Sequence, residues 1–242
     1  MKRRIIIMVA LAGMASACSS PVRQDAAAEN GSAPLAWVQP PHIDGVVRDS
    51  GGLVVRGGTA PSARVVLRGQ DGSAIAASAD AAGRFELRLP PVAGDVQFTP
   101  EVQLGQDTAV SPETLVVIQG GAGPVVLIAA GEPTLRLDSQ NALDAVDADG
   151  SAIIASGHRG EAAPDVKIGG EAVRPLAGKG TWRAMASGGA ATTIMVDGRA
   201  YAYPGAGGGA GFSVERIEAG WRLSWPVAAG GRQSTWLPDP VR

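Results

Sequence analysis

The chain of 242 residues carries 21 basic and 23 acidic side chains, a net charge of −2, with 34 glycines, 17 prolines and aromatics at only 4%. No basic stripe is present, which leaves nucleic-acid binding without an electrostatic footing. Glycine well above its usual ~7% share, with proline scattered throughout, fits a helical protein poorly and points to many short strands joined by turns.

The chain opens on a basic cluster, Lys2-Arg3-Arg4, then an apolar run, Ile5 to Leu11, that fades through Ala12 to Ala17. This is the layout of a secretory signal. The run falls short of the ~20 apolar residues that a membrane span needs. Cys18 is the one cysteine, so it has no partner for an internal disulfide. The segment Ala15-Ser16-Ala17-Cys18 resembles the lipobox of bacterial lipoproteins, departing from it at Ala15, where Leu is usual. The resemblance implies cleavage before Cys18, a diacylglycerol on its thiol and an acyl chain such as palmitate on the new amine. Two or three chains at about 0.8 kcal/mol per buried CH₂ make a stable anchor. Ser19 resembles the sorting position of lipoproteins sent to the outer membrane. Loss of Lys2, Arg3 and Arg4 with residues 1–17 would leave 18 basic against 23 acidic side chains.

Residues 18–41 are polar, rich in Ala, Ser and Pro, and lack apolar periodicity; they read as a lipidated tether. From His42 the text becomes short apolar runs punctuated by Gly, Pro, Asp or Ser: "HIDGVVRD", "GLVVRG", "ARVVLRG", "RFELRLP", "ETLVVI". In Arg84–Leu89, Phe85, Leu87 and Leu89 alternate with Arg84, Glu86 and Arg88, the two-residue period of a strand with one wet face. "GGAG", Gly120 to Gly123, reads as a domain joint. Beyond it, Asp197-Gly198 between two apolar runs predicts a type I′ hairpin. Glu218-Ala219-Gly220 predicts a second hairpin loop, and "PGAGGGAG", Pro204 to Gly211, reads as a mobile loop.

The two halves parallel one another. Gly57 corresponds to Gly157, Val65 and Leu67 to Val166 and Ile168, and Gly83-Arg84-Phe85 to Gly180-Thr181-Trp182. The shared pattern is a strand, a Gly-rich turn, "AxVxL/I" and "DxxGxF". It resembles bacterial immunoglobulin-like domains and the related carboxypeptidase-regulatory-like domains. The second half departs from it, with Ala177 where Asp80 would align. The resemblance implies an all-β protein of two tandem immunoglobulin-like β-sandwich domains, residues 42–119 and a divergent 124–242. Such domains serve as spacers, adhesion modules or packing partners and bring no catalytic residues.

Chemistry-bearing groups are sparse. His42 and His158 are each isolated and read as solvated loop residues. Neither they nor the cysteine offer a zinc ligand set. Asp144, Asp147, Asp149 and Gly150 resemble part of a calcium loop, but the first and last ligand positions hold Ala145 and Ser156. No G-x-S-x-G or phosphate-cradling glycine motif occurs. The expectation is therefore no enzyme, no metal and no cofactor beyond the lipid on Cys18. Trp221 and Trp225 share one strand face, as do Tyr201 and Tyr203. These four rings are the candidate ligand face, able to stack on sugar rings, with a plain core role as the competing reading. The sequence thus predicts a lipid-anchored, non-catalytic protein of the cell envelope, at the outer membrane and facing periplasm or surface. It would contact an envelope protein or, alternatively, a glycan.

Overall fold

The structure is a computed structural model that describes residues 37–227 and 230–240. Cys18 and the expected signal and tether, up to residue 36, lie outside the described residues. Within them the chain makes 21 strands and no α-helix.

The first strands form as the alternation predicts. β1 (His42–Asp49), β2 (Gly52–Gly58) and β5 (Arg84–Leu89) pair antiparallel in the order β1-β2-β5, here sheet 1. In β5, Phe85, Leu87 and Leu89 are buried and the three charged residues between them exposed. Sheet 2 holds β3 (Arg64–Gly69), β4 (Ala74–Ser78), β6 (Val96–Leu104), β8 (Thr114–Val117), β9 (Val125–Ile128) and β10 (Leu135–Arg136), in the order β10-β9-β8-β6-β3-β4. A short β7 (Asp107–Val110) pairs with β6. The inner faces of sheets 1 and 2 meet over Leu53, Val55, Phe85, Leu87, Leu67 and Leu115.

The second half repeats this plan. Sheet 3 contains β11 (Ala145–Ala148), β12 (Ala152–His158) and β16 (Thr181–Ser187), side by side as β1, β2 and β5 are. Sheet 4 runs β14-β13-β17-β18, with β13 (Val166–Ile168), β14 (Glu171–Val173), β17 (Thr192–Val196) and β18 (Arg199–Tyr203). That order matches β4-β3-β6-β8 in sheet 2. Equivalent turns are tied alike: the Thr59 N–H donates to the Gly83 carbonyl at 2.8 Å, and the Arg159 N–H to the Gly180 carbonyl at 3.1 Å. The protein is thus all-β, built of several antiparallel sheets, and consistent with an immunoglobulin-like β-sandwich. The β17–β18 turn is the predicted one, with Asp197 and Gly198 at φ 51° and 78° and Val196 paired to Arg199.

Added strands bind the halves together. β15 (Leu176–Ala177) extends one edge of sheet 3. Its other edge gains β21 (Arg232–Pro238), β20 (Gly220–Pro226) and β19 (Ser213–Ile217). Sheet 2 gains β9 and β10. In sheet 2 the strands that meet the middle, β8 and β9, are apolar on both faces, as a strand covered on both sides tends to be, while β20 and β21 of sheet 3 also bury Ser224, Gln233, Ser234 and Thr235. In β8 and its continuation, Leu115 and Val117 face sheet 1. Val116 and Ile118 face the other way, joining Val126, Ile128, Leu223, Trp225 and Leu237 in a middle core between sheets 2 and 3. Each such Val, Leu or Ile contributes about 1.5–3 kcal/mol on burial. Residues Val38–Arg242 consequently form one compact unit.

The segment expected as a joint, Gly120–Gly123, lies within sheet 2, as the tight connection from β8 to β9. Its glycines are demanded by geometry: Gly120 has φ +63°, and a Cβ there would strike the Val92 carbonyl. The first sandwich runs on to Arg136. The expected mobile loop, Pro204–Gly211, is likewise pinned. The Ala206 N–H donates to the Gly189 carbonyl at 2.9 Å, and the Gly207 N–H to Ser234 Oγ at 3.1 Å. A side chain at Gly207 would meet Arg222.

Candidate functional site: the groove along the connector

The chain passes from sheet 2 to sheet 3 through one connector, Leu137 to Asp144. Its main chain leaves one sheet before entering the next, so its polar groups need partners. Main-chain groups supply several, the Leu137 N–H donating to the Val125 carbonyl at 2.8 Å and the Asp144 N–H to the Ser156 carbonyl at 2.9 Å, and two aspartates and two arginines tie the connector to its surroundings. Asp138 Oδ1 accepts from the Val125 N–H at 3.1 Å and from Arg136 Nε at 3.2 Å. Its Oδ2 accepts from Arg48 Nη2 at 2.9 Å. Arg48 also donates to the carbonyls of Gly121 and Gly123, each at 2.7 Å. Arg136 is buried and donates to the Pro238 carbonyl at 2.8 Å. This cluster holds sheet 1, the β8–β9 turn and the end of β21 against the connector.

Asp144 organises the other end. Its side chain is only 6% exposed. Oδ1 accepts from Ser139 Oγ at 2.5 Å and from the Asn141 N–H at 3.1 Å. Oδ2 lies 2.5 Å from His158 Nδ1. A carboxylate only accepts, so this pairing places the hydrogen on Nδ1 and leaves Nε2 as the ring's remaining polar atom. The His158 N–H donates to the Asn141 carbonyl at 2.8 Å. The isolated, solvated histidine expected from sequence is therefore corrected: His158 closes β12 and is fixed by a buried acid.

Three adjoining hollows of about 600, 510 and 460 Å³ follow the connector, and Gln140 lines all three. The largest is walled by His158, Arg159, Pro164 and Asp197. The next lies between β1 and β10, with Asp44, Val47, Arg56 and Leu135. The last ends on Asn141, Trp221 and Asp239.

The expected aromatic face is not one surface. Tyr201 and Tyr203 are buried between sheets 3 and 4, and burial pushes the Tyr203 phenol up to about 12. Trp225 is buried in the middle core. Trp221 is half-buried with the Arg216 guanidinium 5.4 Å from its ring centre, and of the four it alone reaches the groove. The physical reason is that β18 and β20 lie in different sheets, so rings alternating correctly along each strand fill different cores. His42 sits at the surface with Nε2 3.5 Å from Asp44.

The aspartates that resemble part of a calcium loop also diverge. Asp144 turns to His158, Asp147 to Thr134, and Asp149 Oδ1 accepts from the N–H groups of Ser151 and Ala152 in a plain turn. The Asp144–His158 pair was hidden by its separation, yet the register contains it. A hairpin turning at Asp149-Gly150 pairs Ala145 with Ser156, which puts Asp144 level with the end of β12.

No family model matches the chain, and neither a curated protein nor a solved structure shows significant similarity to it.

Proposed function

We propose that the chain is a lipid-anchored, non-catalytic protein of the cell envelope, exported by residues 1–17 and held at the outer membrane through acylated Cys18. Its body is two immunoglobulin-like sandwich modules, related to the carboxypeptidase-regulatory-like type, that act in support of or contact with another envelope component. The observation that carries this reading is the run from Lys2 to Cys18 followed by a polar stretch that ends where the compact unit begins, at Val38.

The test is the intact mass of the protein extracted from membranes of its native host, beside a Cys18→Ser variant. A mass of residues 18–242 plus diacylglycerol and one acyl chain, absent in the variant, is the expected result. An unmodified chain, or membrane attachment that survives Cys18→Ser, overturns it.

A further inference from the structure

We propose that the groove along the connector is a binding site for an uncharged, polyhydroxylated polymer: a glycan chain of neutral sugar units. The inference goes beyond membrane anchoring, and of the aromatic face read in the sequence it shares only Trp221.

Shape is the first argument. The hollows adjoin along one stretch of chain, from Trp221 past Gln140 to Asp197. Such a line suits an extended ligand, where a compact small molecule prefers an enclosed apolar cavity.

Charge is the second. The three hollows are lined by Arg48, Arg56, Arg136 and Arg159 and by Asp44, Asp138, Asp197 and Asp239, four of each sign. Several already neutralise one another, with Asp138 held by both Arg48 and Arg136. A balanced lining has no field to draw in a polyanion or a polycation. It offers alternating donors and acceptors, which matches hydroxyl groups, since each hydroxyl both donates and accepts.

The third argument is pre-organisation. Gln140 and Asn141 present carboxamides with both donor and acceptor ends. Asn141 is fixed through its N–H by Asp144 and through its carbonyl by His158. His158 is oriented by the same carboxylate. Groups held in place before binding lose little freedom on binding. The half-buried Trp221 lines one end of the groove.

A peptide adding as a strand fits less well, because it needs a row of free main-chain donors and acceptors. Here the Leu137 N–H is spent on the Val125 carbonyl and the Asp144 N–H on the Ser156 carbonyl.

The test is titration calorimetry on the full chain in detergent with chitohexaose and with maltohexaose. Saturable binding of either sugar is expected, at least tenfold weaker in a Gln140→Ala/His158→Ala double variant whose far-UV circular dichroism is unchanged. Should the double variant lose its fold, Gln140→Ala alone, at an exposed position, is expected to weaken binding severalfold. No saturable heat with either sugar overturns the proposal, as does binding that the folded variants retain in full. The result is independent of Cys18, so failure of the anchor and failure of the site are told apart.

Discussion

The carboxylate of Asp147 takes both hydrogens that Thr134 offers, the backbone N–H at 2.9 Å and Oγ1–H at 2.6 Å. Thr134 leads into β10 and Asp147 lies in β11, so the pair ties sheet 2 to sheet 3 within the buried interior. Burial pushes the Asp147 carboxyl up to about 6, with the Thr134 hydrogen bonds acting in the opposite direction. An unfolded aspartate titrates near ~3.9. Between these values the folded chain keeps a proton that the unfolded chain has released. Stability therefore falls as pH rises from about 4 to 6, and levels off above. The loss is on the order of 3 kcal/mol. Asp147→Asn keeps an acceptor for the Thr134 N–H and removes the charge. Urea unfolding at pH 4.0 and 7.5 is expected to show the variant gaining on the wild type as pH rises. A constant difference between the two proteins would exclude Asp147 as the source.

Glu101 behaves in the opposite sense. Arg68 grips it with Nε and Nη2, each 2.7 Å from a different oxygen. That fork, helped by Gln103, holds the Glu101 carboxyl below its ordinary range against the cost of burial. Its contribution is present above the ordinary glutamate value and is lost as pH falls through the lowered one. Glu101→Gln is expected to lower the thermal midpoint at pH 7 and to flatten the acid limb of the midpoint–pH curve. An acid limb identical to the wild type's would assign that limb to other carboxylates.

Because sheets 2 and 3 share the middle core, the halves should not melt apart. Calorimetry is expected to show one transition, with van't Hoff and calorimetric enthalpies equal. Leu223 is fully buried in that core, and Leu223→Ala is expected to cost about 2–5 kcal/mol while keeping the transition single. Two resolved transitions, with only the upper or lower one moved by Leu223→Ala, would show the halves to be independent.

Local rules carried the strands and tight turns into view, because alternation and Asp-Gly chemistry act within a few residues. β5 and the Asp197-Gly198 hairpin stand as the residues dictate. What lies between sheets was less visible. "ETLVVI" and "PVVLIAAG" read as strands, and their unbroken apolar runs also announce burial on two faces, which is what places them at the middle core. Gly120–Gly123 reads as a joint because composition alone does not separate a flexible glycine from one compelled by positive φ. Pro204–Gly211 reads as mobile because its anchors on Gly189 and Ser234 are remote in sequence. The groove depends on a connector meeting β1, β12 and β20, and no local pattern encodes that meeting.

Gly57 and Gly157 test the repeat itself. In β2, Gly57 pairs with Phe85, and a Cβ there would strike the His42 carbonyl and the Phe85 ring. In β12, Gly157 pairs with Trp182, and a Cβ would strike the Ala142 carbonyl. Trp182 is fully buried and donates from Nε1 to that same carbonyl at 2.9 Å. Glycine to alanine inside an ordinary strand gains about 0.5–1 kcal/mol, so the sign is diagnostic. With backbone in the way, each substitution is expected instead to cost about 1–3 kcal/mol. Gly57 packs against His42 and Phe85 and Gly157 against Ala142 and Leu143, so the two sites share no partner. The two costs are therefore expected to add within about 0.5 kcal/mol in the double variant, measured by urea unfolding at one pH. A neutral or stabilising Gly157→Ala beside a costly Gly57→Ala would mean that the second half does not pack its glycine and aromatic as the first half does.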